Sequence, residues 1–206
     1  MTQTKLDGSA RERLLAAANE LFYAEGVHTV GIDRVIERAG VAKASLYGSF
    51  GSKEELVRAY LAHRSMTRRE RITRHLTRYG DPRARILGVF DLMAETVAEP
   101  TFRGCAFVNA SAEGPLEDNK VRQVCSDHRA WLRGLFTTLA GELGVADAKQ
   151  VGGRLALLYD GAIVGASMDR NAEAVSDARA MAEALLDAAQ SAPKRGSAKA
   201  PAARRK

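Results

Sequence analysis

Two short helical patterns meet at Gly40; their spacing alone is common to many helix pairs, and the side chains of the second pattern give it its meaning. The first covers Ile32–Ala39, with apolar residues on one face, and the second covers about 43–50. Leu46 and Phe50, four residues apart, give the second pattern an apolar side that can anchor it to a core. Two short helices joined by a glycine-containing turn are typical of a helix-turn-helix.

The outer face of the second helix is small, cationic or hydroxylic, which suits contact with nucleic acid. Short polar side chains on an exposed helix can reach base edges and phosphates in the major groove of DNA. The residues with this character are Lys43, Ser45, Tyr47, Gly48 and Ser49.

Capping boxes predict where two further helices begin. Ser9–Glu12 has the S-x-x-E spacing and precedes an apolar pattern that ends at Gly26. Ser52–Glu55 has the same spacing and opens a long helix that we expect to end near Thr77. Six arginines lie between 64 and 78, and we expect them to form a solvated helix face that adds a background positive field.

The remainder of the chain also has helical periodicity, so the predicted fold class is all-α. Apolar stripes run over 84–97, 121–143, 148–168 and 176–189, with a short helix over 106–113 and turn signals at Gly114-Pro115. The predicted organisation is a helix-turn-helix domain (1–52), a connecting helix (53–80), a ligand-binding and dimerisation domain (81–190) and a disordered basic tail (191–206).

Charge is distributed unevenly along the chain. Residues 1–80 have a net charge of +5, residues 81–190 a net charge of −5, and the last sixteen residues carry six cations and no acid. The positive charge of residues 1–80 and of the tail favours a polyanionic partner. The negative charge of residues 81–190 indicates that this segment has a different role. The tail also fits a solubilising extension.

Several classes of protein lack support in the sequence. No apolar stretch approaches the roughly 20 residues of a membrane span, and the start lacks the core of a signal peptide. There is no ligand spacing for a metal and no motif for a nucleotide cofactor or a catalytic nucleophile. We therefore expect a cytoplasmic protein that is not an enzyme and has no cofactor, metal or membrane partner. Cys105 and Cys125 are too few for a disulfide framework, although a thiol redox pair remains an alternative.

The segment 39–56 resembles the DNA-binding segment of the tetracycline-repressor (TetR) family. The run is Ala-Gly-Val-Ala-Lys-Ala-Ser-Leu-Tyr-Gly-Ser-Phe, followed by Ser-Lys-Glu-Glu-Leu, and the family pattern is A-G-V-S-K-x-x-L-Y-x-H-F. Weaker similarity to one group of the family's C-terminal domains lies at Arg103–Asn109 and Leu158–Ala162. The resemblance thus covers nearly the whole body of the chain.

By this resemblance, the second helix of the pair (about 43–50), called the reading helix below, and its neighbours contact DNA. Lys43, Ala44 and Ser45 would approach bases or nearby phosphates, Tyr47 would bond a phosphate, and Lys53 would lie over the backbone. The full set of expected DNA-binding residues is Thr29, Lys43, Ala44, Ser45, Tyr47, Gly48, Ser49 and Lys53. Tyr47 as a core aromatic and the two lysines as ordinary solvated residues are the alternatives.

Two departures from the family pattern alter the expected contacts. The histidine before the closing phenylalanine is Ser49 here, a shorter donor. The family often has serine or threonine at Val30, and Thr29 stands one place earlier.

Aromatic and soft apolar residues in the second segment form the predicted pocket wall. The residues expected to bind ligand are Phe90, Met93, Phe102, Cys105, Asn109, Trp131, Leu135 and Tyr159. Phe107, Phe136, Asp127, His128 and Asp160 are further candidates, although Asp127-His128 fits a solvated or capped pair. A plain helical core is the alternative, and the family's usual small-molecule cavity favours a pocket.

The resemblance also implies dimerisation through the last two helices. In the final one, Ala178, Met181, Ala182, Leu185 and Leu186 form an apolar stripe suited to a four-helix interface. A two-fold dimer presents two reading helices and implies a pseudo-palindromic site on double-stranded DNA.

These expectations combine into a ligand-responsive DNA-binding regulator, a homodimeric repressor that a small-molecule inducer releases from its operator. A helical-bundle binding protein or enzyme that does not act on DNA is the alternative from another class. A third possibility is an architectural DNA binder driven by the tail.

Overall fold

The computed structural model describes residues 8–113 and 119–191, and within them it contains nine α-helices and no strand. The predicted turn at Gly114-Pro115, the basic tail beyond Ser191 and the first seven residues lie outside the described residues. The helices are α1 (Ala10–Glu25), α2 (Ile32–Ala39), α3 (Lys43–Phe50), α4 (Lys53–Leu76), α5 (Pro82–Val97), α6 (Ala106–Glu113), α7 (Asn119–Glu142), α8 (Ala148–Asp169) and α9 (Glu173–Ser191). The all-α prediction is confirmed.

The helix starts follow from local hydrogen bonding. At α1 both halves of the predicted capping box form, since Glu12 N–H donates to Ser9 Oγ and Ser9 N–H donates to Glu12 Oε2 at 2.8 Å. At α4 only the first half forms, from Glu55 N–H to Ser52 Oγ at 3.2 Å. The Glu55 carboxylate instead accepts from Arg58 and Lys120 at 2.7 Å each. The reciprocal half of that predicted box is therefore wrong, because two cations compete for the carboxylate.

One hydrophobic core holds the helix-turn-helix together. It joins α1, α2, α3 and the first half of α4, with Leu14, Val35 and Leu46 fully buried. The Phe22 and Tyr60 rings meet edge to face at 5.6 Å. Residues of α6 and α7 also enter this core: Ala106, Phe107, Ala110 and Val121. The front of the molecule is therefore packed directly against the segment that follows α5.

A second core lies between α5, α7, α8 and α9, with the end of α4 beside it. Phe90 and Phe136 stack at 5.9 Å, and Tyr159 packs edge-on against both. The α7 and α8 backbones approach closely, because a Cβ on Gly152 would lie 2.7 Å from backbone atoms of Thr137. None of the helices in the described ranges has the length and apolar character required to cross a membrane.

Helix α4 belongs to both cores. Leu56 and Leu61 are buried in the first core, whereas Ile72 and Leu76 are buried in the second. At about 1.5 Å per residue, its 24 residues span about 36 Å. A single continuous helix therefore connects the reading helix, α3, to the rear bundle of α5, α7, α8 and α9.

The predicted interface stripe of α9 needs a correction. Ala178, Ala182 and Leu186 are buried within the chain because α9 covers α5 and α8 with that side. Met181 is exposed and Leu185 is partly buried.

Candidate nucleic-acid interface and cavity

Helix α3 is anchored on one side and open on the other. Leu46 is fully buried, while Lys43, Ala44 and Gly48 are exposed and Tyr47 is 47% exposed. In the part of the chain that the structure describes, no atom outside the helix's own nearby backbone lies within 4 Å of the position that a Cβ on Gly48 would take. Ser45 and Ser49 are partly buried. The helix thus presents an uncluttered outer face of the kind a major groove admits.

The neighbours of α3 set the charge of this face. Lys43 Nζ lies 3.1 Å from Asp33 Oδ1 at the start of α2. Thr29, in the turn before α2, is exposed, and Lys53, the first residue of α4, is partly buried. Val30 is fully buried. That position therefore contributes to packing, and the exposed hydroxyl of this turn is on Thr29.

A cavity of about 580 Å³, partly open to solvent, lies between α1, α4, the segment 96–107, α7 and α8. Its wall combines apolar and cationic groups. The apolar part includes Phe102, Phe107 and Ile163, and the cationic part includes four arginines of α4 and the following segment: Arg64, Arg68, Arg71 and Arg103. A volume of this size suits a small organic ligand.

The arginines are held in defined positions. Arg68 donates from Nη2 to Tyr159 Oη at 2.6 Å and from Nη1 to Thr96 Oγ1 at 3.2 Å. The Arg64 guanidinium stacks 3.6 Å from the centre of the Tyr23 ring. Such contacts fix guanidinium groups against a wall instead of leaving them in bulk solvent.

The predicted ligand-binding residues divide into two groups. Phe102, Cys105 and Tyr159 line the cavity. The other five do not line it. Phe90 and Met93 are fully buried in the second core, and Trp131 and Leu135 pack against that core. Asn109 donates from Nδ2 to Arg103 O at 2.9 Å and so holds the preceding loop.

His128 lies in the cavity wall as a neutral imidazole. Its ring stacks on Phe107 with centroids 3.7 Å apart, and Nδ1 lies 3.1 Å from Ser65 Oγ. Burial, aided by nearby Arg68 and Arg69, lowers the pKa of His128 to about 4. The interpretation of Asp127-His128 as a solvated or capped pair is therefore wrong for the histidine. It faces inward, while Asp127 is exposed and bonds Gln123.

The two cysteines have little thiolate at neutral pH. Burial raises the pKa of Cys105 and of Cys125. Cys125 Sγ lies 3.6 Å from Phe107 O. Because the thiolate is the reactive form, these surroundings give a thiol redox pair no support.

A second cavity of about 810 Å³ adjoins the first and shares several wall residues with it. The shared residues are Cys105, Phe107, His128, Tyr159 and Ile163. It extends to Lys53 and Val57 near the start of α4. Cavity space therefore reaches from α8 to the start of α4. Within residues 8–113 and 119–191 no cluster of His, Cys, Asp and Glu could hold a metal ion.

The sequence did not identify the arginines and Tyr23 as cavity residues. The α4 arginines fit a solvated face by their pattern, yet Arg64, Arg68 and Arg71 line the cavity. One signal is present, since Arg68 interrupts an otherwise inward-facing series at three- and four-residue spacing: Leu61, Ser65, Ile72 and Leu76. A cation in the buried stripe of a helix indicates a polar surface within the fold.

Comparison with known proteins agrees with the geometry. The profile of bacterial regulatory proteins of the tetR family matches residues 14–60, which cover α1 to the first part of α4. The crystal structure of a TetR-family transcriptional regulator from Streptomyces coelicolor has a TM-score of 0.81 and 34% identity, covering 87% of this chain and 89% of that one.

Two curated relatives are also regulators. The regulator LmrA of Bacillus subtilis is 27% identical over 127 residues, which is 60% of this chain and 68% of LmrA. The transcriptional activator FasR of Mycolicibacterium smegmatis is 49% identical, but over 51 residues that cover 25% of this chain and 23% of FasR. With an exposed α3 and similarity over almost the whole length of the Streptomyces structure, the chain belongs to the TetR family and is a DNA-binding transcription regulator.

Proposed function

We propose that the chain is a homodimeric repressor that a small molecule releases from a pseudo-palindromic operator. The observation that carries this proposal is the position of α4. Its first residue, Lys53, stands beside the reading helix, and its Arg64 and Arg68 line the cavity. A ligand that shifts the cavity wall can therefore tilt the reading helix through α4 alone, because α4 both lines the cavity and follows the reading helix in the chain.

On DNA, the reading face divides into two kinds of contact. Lys43, Tyr47 and Lys53 bind phosphates, which sets affinity and register. Ala44 and Ser45 approach base edges, which sets sequence preference. The remaining proposed contacts surround these: Thr29, Gly48 and Ser49. No catalytic step is involved, and the compartment this function requires is the cytoplasm, where bacterial DNA lies.

A dimer interface is supported by an exposed apolar stripe on the rear of the molecule. Leu157, Val164 and Met168 lie on one side of α8 with spacings of seven and four residues, and Met181 is exposed on α9. Four exposed large apolar side chains on two adjacent helices favour burial against a second copy. The resulting two-fold axis sets the reading helices roughly 34–36 Å apart, one turn of duplex DNA.

Release follows from differential affinity. A ligand that binds the cavity better when the reading helices are displaced lowers operator affinity by the difference, typically about 1–3 kcal/mol. The same argument predicts that operator DNA weakens ligand binding by an equal factor.

Selection from a randomised duplex library tests the DNA function and identifies the operator sequence in the same experiment. The full chain should enrich an inverted repeat at moderate salt, and a Lys43→Ala, Tyr47→Phe variant should enrich it less or not at all. Deleting residues 191–206 should preserve the selected sequence, whereas a tail-driven binder would lose nearly all attachment. Recovery of no preferred sequence would contradict the proposal, and a reporter placed behind the selected site gives the sign of regulation.

A further inference from the structure

The cavity wall has an excess of positive charge that the described residues do not neutralise. Of its four arginines, only Arg71 has a carboxylate partner within the described ranges, Glu99 Oε1 at 2.7 Å. The other acid on the wall, Glu20, is held by Arg38 at 2.7 Å. Both cavity carboxylates are therefore already engaged.

The three remaining guanidinium groups have neutral partners among the described residues. Arg68 bonds the hydroxyls of Tyr159 and Thr96. Arg64 donates to Asn19 Oδ1 at 3.2 Å and stacks on Tyr23. Arg103, an exposed lining residue, donates to the carbonyl of Phe102 at 2.9 Å. A guanidinium remains protonated at any physiological pH, so this charge is permanent.

A partly buried cation without a counter-ion is an unfavourable arrangement that an anion relieves. Arg68 is partly buried and has no carboxylate within ion-pair distance in the described ranges. Each Arg has five N–H donors, and Arg68 uses one on each of its two partners. Donors therefore remain for a ligand, and hydrogen bonds to an anion are about twice as strong as those between neutral groups.

Another part of the wall is apolar. Phe102, Phe107, Ile163 and the neutral thiol of Cys105 line it, and neutral His128 stacked on Phe107 extends this surface. Such a surface favours an aromatic or aliphatic body.

From this division we propose that the ligand is an organic anion, an apolar body with one compact acidic group such as a carboxylate, whose charge is bound by Arg68 and Arg64. This inference rests on the proposed function only in calling the molecule an effector. The charge preference of the cavity is a property of the protein in the absence of DNA.

Two isosteric probes test the charge preference directly. 2-Naphthoate and 2-naphthamide have the same apolar body and differ in charge. Isothermal titration of the full chain should give at least about tenfold tighter binding of the naphthoate. 2-Naphthyl phosphate is the third probe, and whichever anion binds more tightly identifies the preferred head group.

Variants locate the preference. Arg68→Gln should reduce the naphthoate-to-naphthamide ratio to about twofold or less, and Arg68→Lys should retain part of it, because the charge stays but the planar fork is lost. Arg64→Gln is the second variant should Arg68→Gln not fold, and it should lower the same ratio. Arg133→Gln, an exposed arginine of α7 outside the cavity, is the matched control for general surface charge and should leave the ratio unchanged.

The outcomes separate this inference from the proposed function. Equal affinities for the naphthoate and the naphthamide, binding of no probe at millimolar concentration, or a preference that survives Arg68→Gln would each overturn it. None of these results affects the library selection, which reports on DNA alone. Failure of that selection would in turn leave the charge preference standing.

Discussion

Tyr23 and Gly104 are 81 residues apart in the chain, and the Tyr23 hydroxyl donates a 3.0 Å hydrogen bond to the Gly104 carbonyl. The same hydroxyl accepts from Arg103 N–H at 3.0 Å. The ring supports Arg64 on its face. Tyr23 therefore ties α1 of the helix-turn-helix to the cavity loop and to a cavity arginine at once.

Tyr23→Phe should destabilise the protein by about 1–2 kcal/mol, because it removes two hydrogen bonds while keeping the ring under Arg64. Urea denaturation measures the change. Tyr47→Phe is the matched control, since the Tyr47 hydroxyl is exposed and has no hydrogen-bond partner in the part of the chain described. Equal stability of the two variants would show that the two hydrogen bonds of the Tyr23 hydroxyl do not contribute to the free energy of unfolding.

Much of the fold could be predicted from the sequence because its determinants are local. The spacing of Leu46 and Phe50, the Ser9 cap and Gly40 at the end of α2 each act within one or two turns, and the bounds of α2 and α3 agree with the pattern. The Glu55 carboxylate, however, accepts a hydrogen bond from Lys120, which is 65 residues away in the chain. The local spacing of residues carries no information about such a distant partner.

The cavity was less predictable for the same reason. Phe90 and Phe102 are the same type of residue, yet Phe90 is buried in the second core and Phe102 lines the cavity. Arg68 and Arg69 are neighbours in sequence, but a rotation of about 100° along α4 takes one to Tyr159 and the other over Trp131. Only the packing of α4 against α1, α5 and α7 decides which arginine faces the cavity.

The proposed dimer interface predicts a position-specific effect of charge. Met168→Glu in α8 should weaken self-association at least about tenfold, because it buries an unpaired carboxylate in an apolar interface. Met66→Glu in α4 is the matched control, since Met66 is 60% exposed and Met168 77% exposed. Sedimentation equilibrium measures both. Equal effects of the two substitutions would argue against α8 as the interface.

The Lys43–Asp33 pair predicts opposite effects on DNA binding. Lys43→Gln should weaken binding about 3–10-fold and reduce the slope of log affinity against log salt by about one, since one phosphate contact is lost. Asp33→Asn should strengthen binding, because it frees Lys43 and removes a negative charge beside the phosphates.

Glu37→Gln controls for this removal of charge. Glu37 is an exposed residue of α2, and the carboxylate that pairs with Lys43 is that of Asp33. Glu37→Gln therefore removes one negative charge from α2 and leaves the Lys43–Asp33 pair in place. Fluorescence anisotropy at several salt concentrations measures all three variants on the selected duplex. A gain with Glu37→Gln as large as that with Asp33→Asn would show that the pair itself has no role.

Two glycines with equally open surroundings predict opposite changes in stability. A Cβ on either Gly48 or Gly40 would meet no atom within 4 Å, but Gly40 has a φ of +61° and ends α2 in the left-handed conformation. Gly48→Ala should stabilise the protein by up to about 1 kcal/mol through helix propensity. Gly40→Ala should destabilise it by about 1–2 kcal/mol. Thermal unfolding of both distinguishes the signs, and destabilisation by Gly48→Ala would mean that its surroundings are not open.

The neutral His128 predicts a loss of stability in acid. Because its pKa falls from 6.5 to about 4 on folding, the unfolded chain binds the extra proton between these values. The free energy of unfolding is therefore unaffected by His128 above pH 6.5 and decreases as the pH falls toward 4. Relative to His128→Gln, the wild type should lose about 2–3 kcal/mol between pH 7.5 and 4.5. Urea denaturation across this range measures the difference, in which the titration of all other groups cancels. Parallel pH profiles for the two proteins would mean that His128 accepts a proton as readily in the fold as in water.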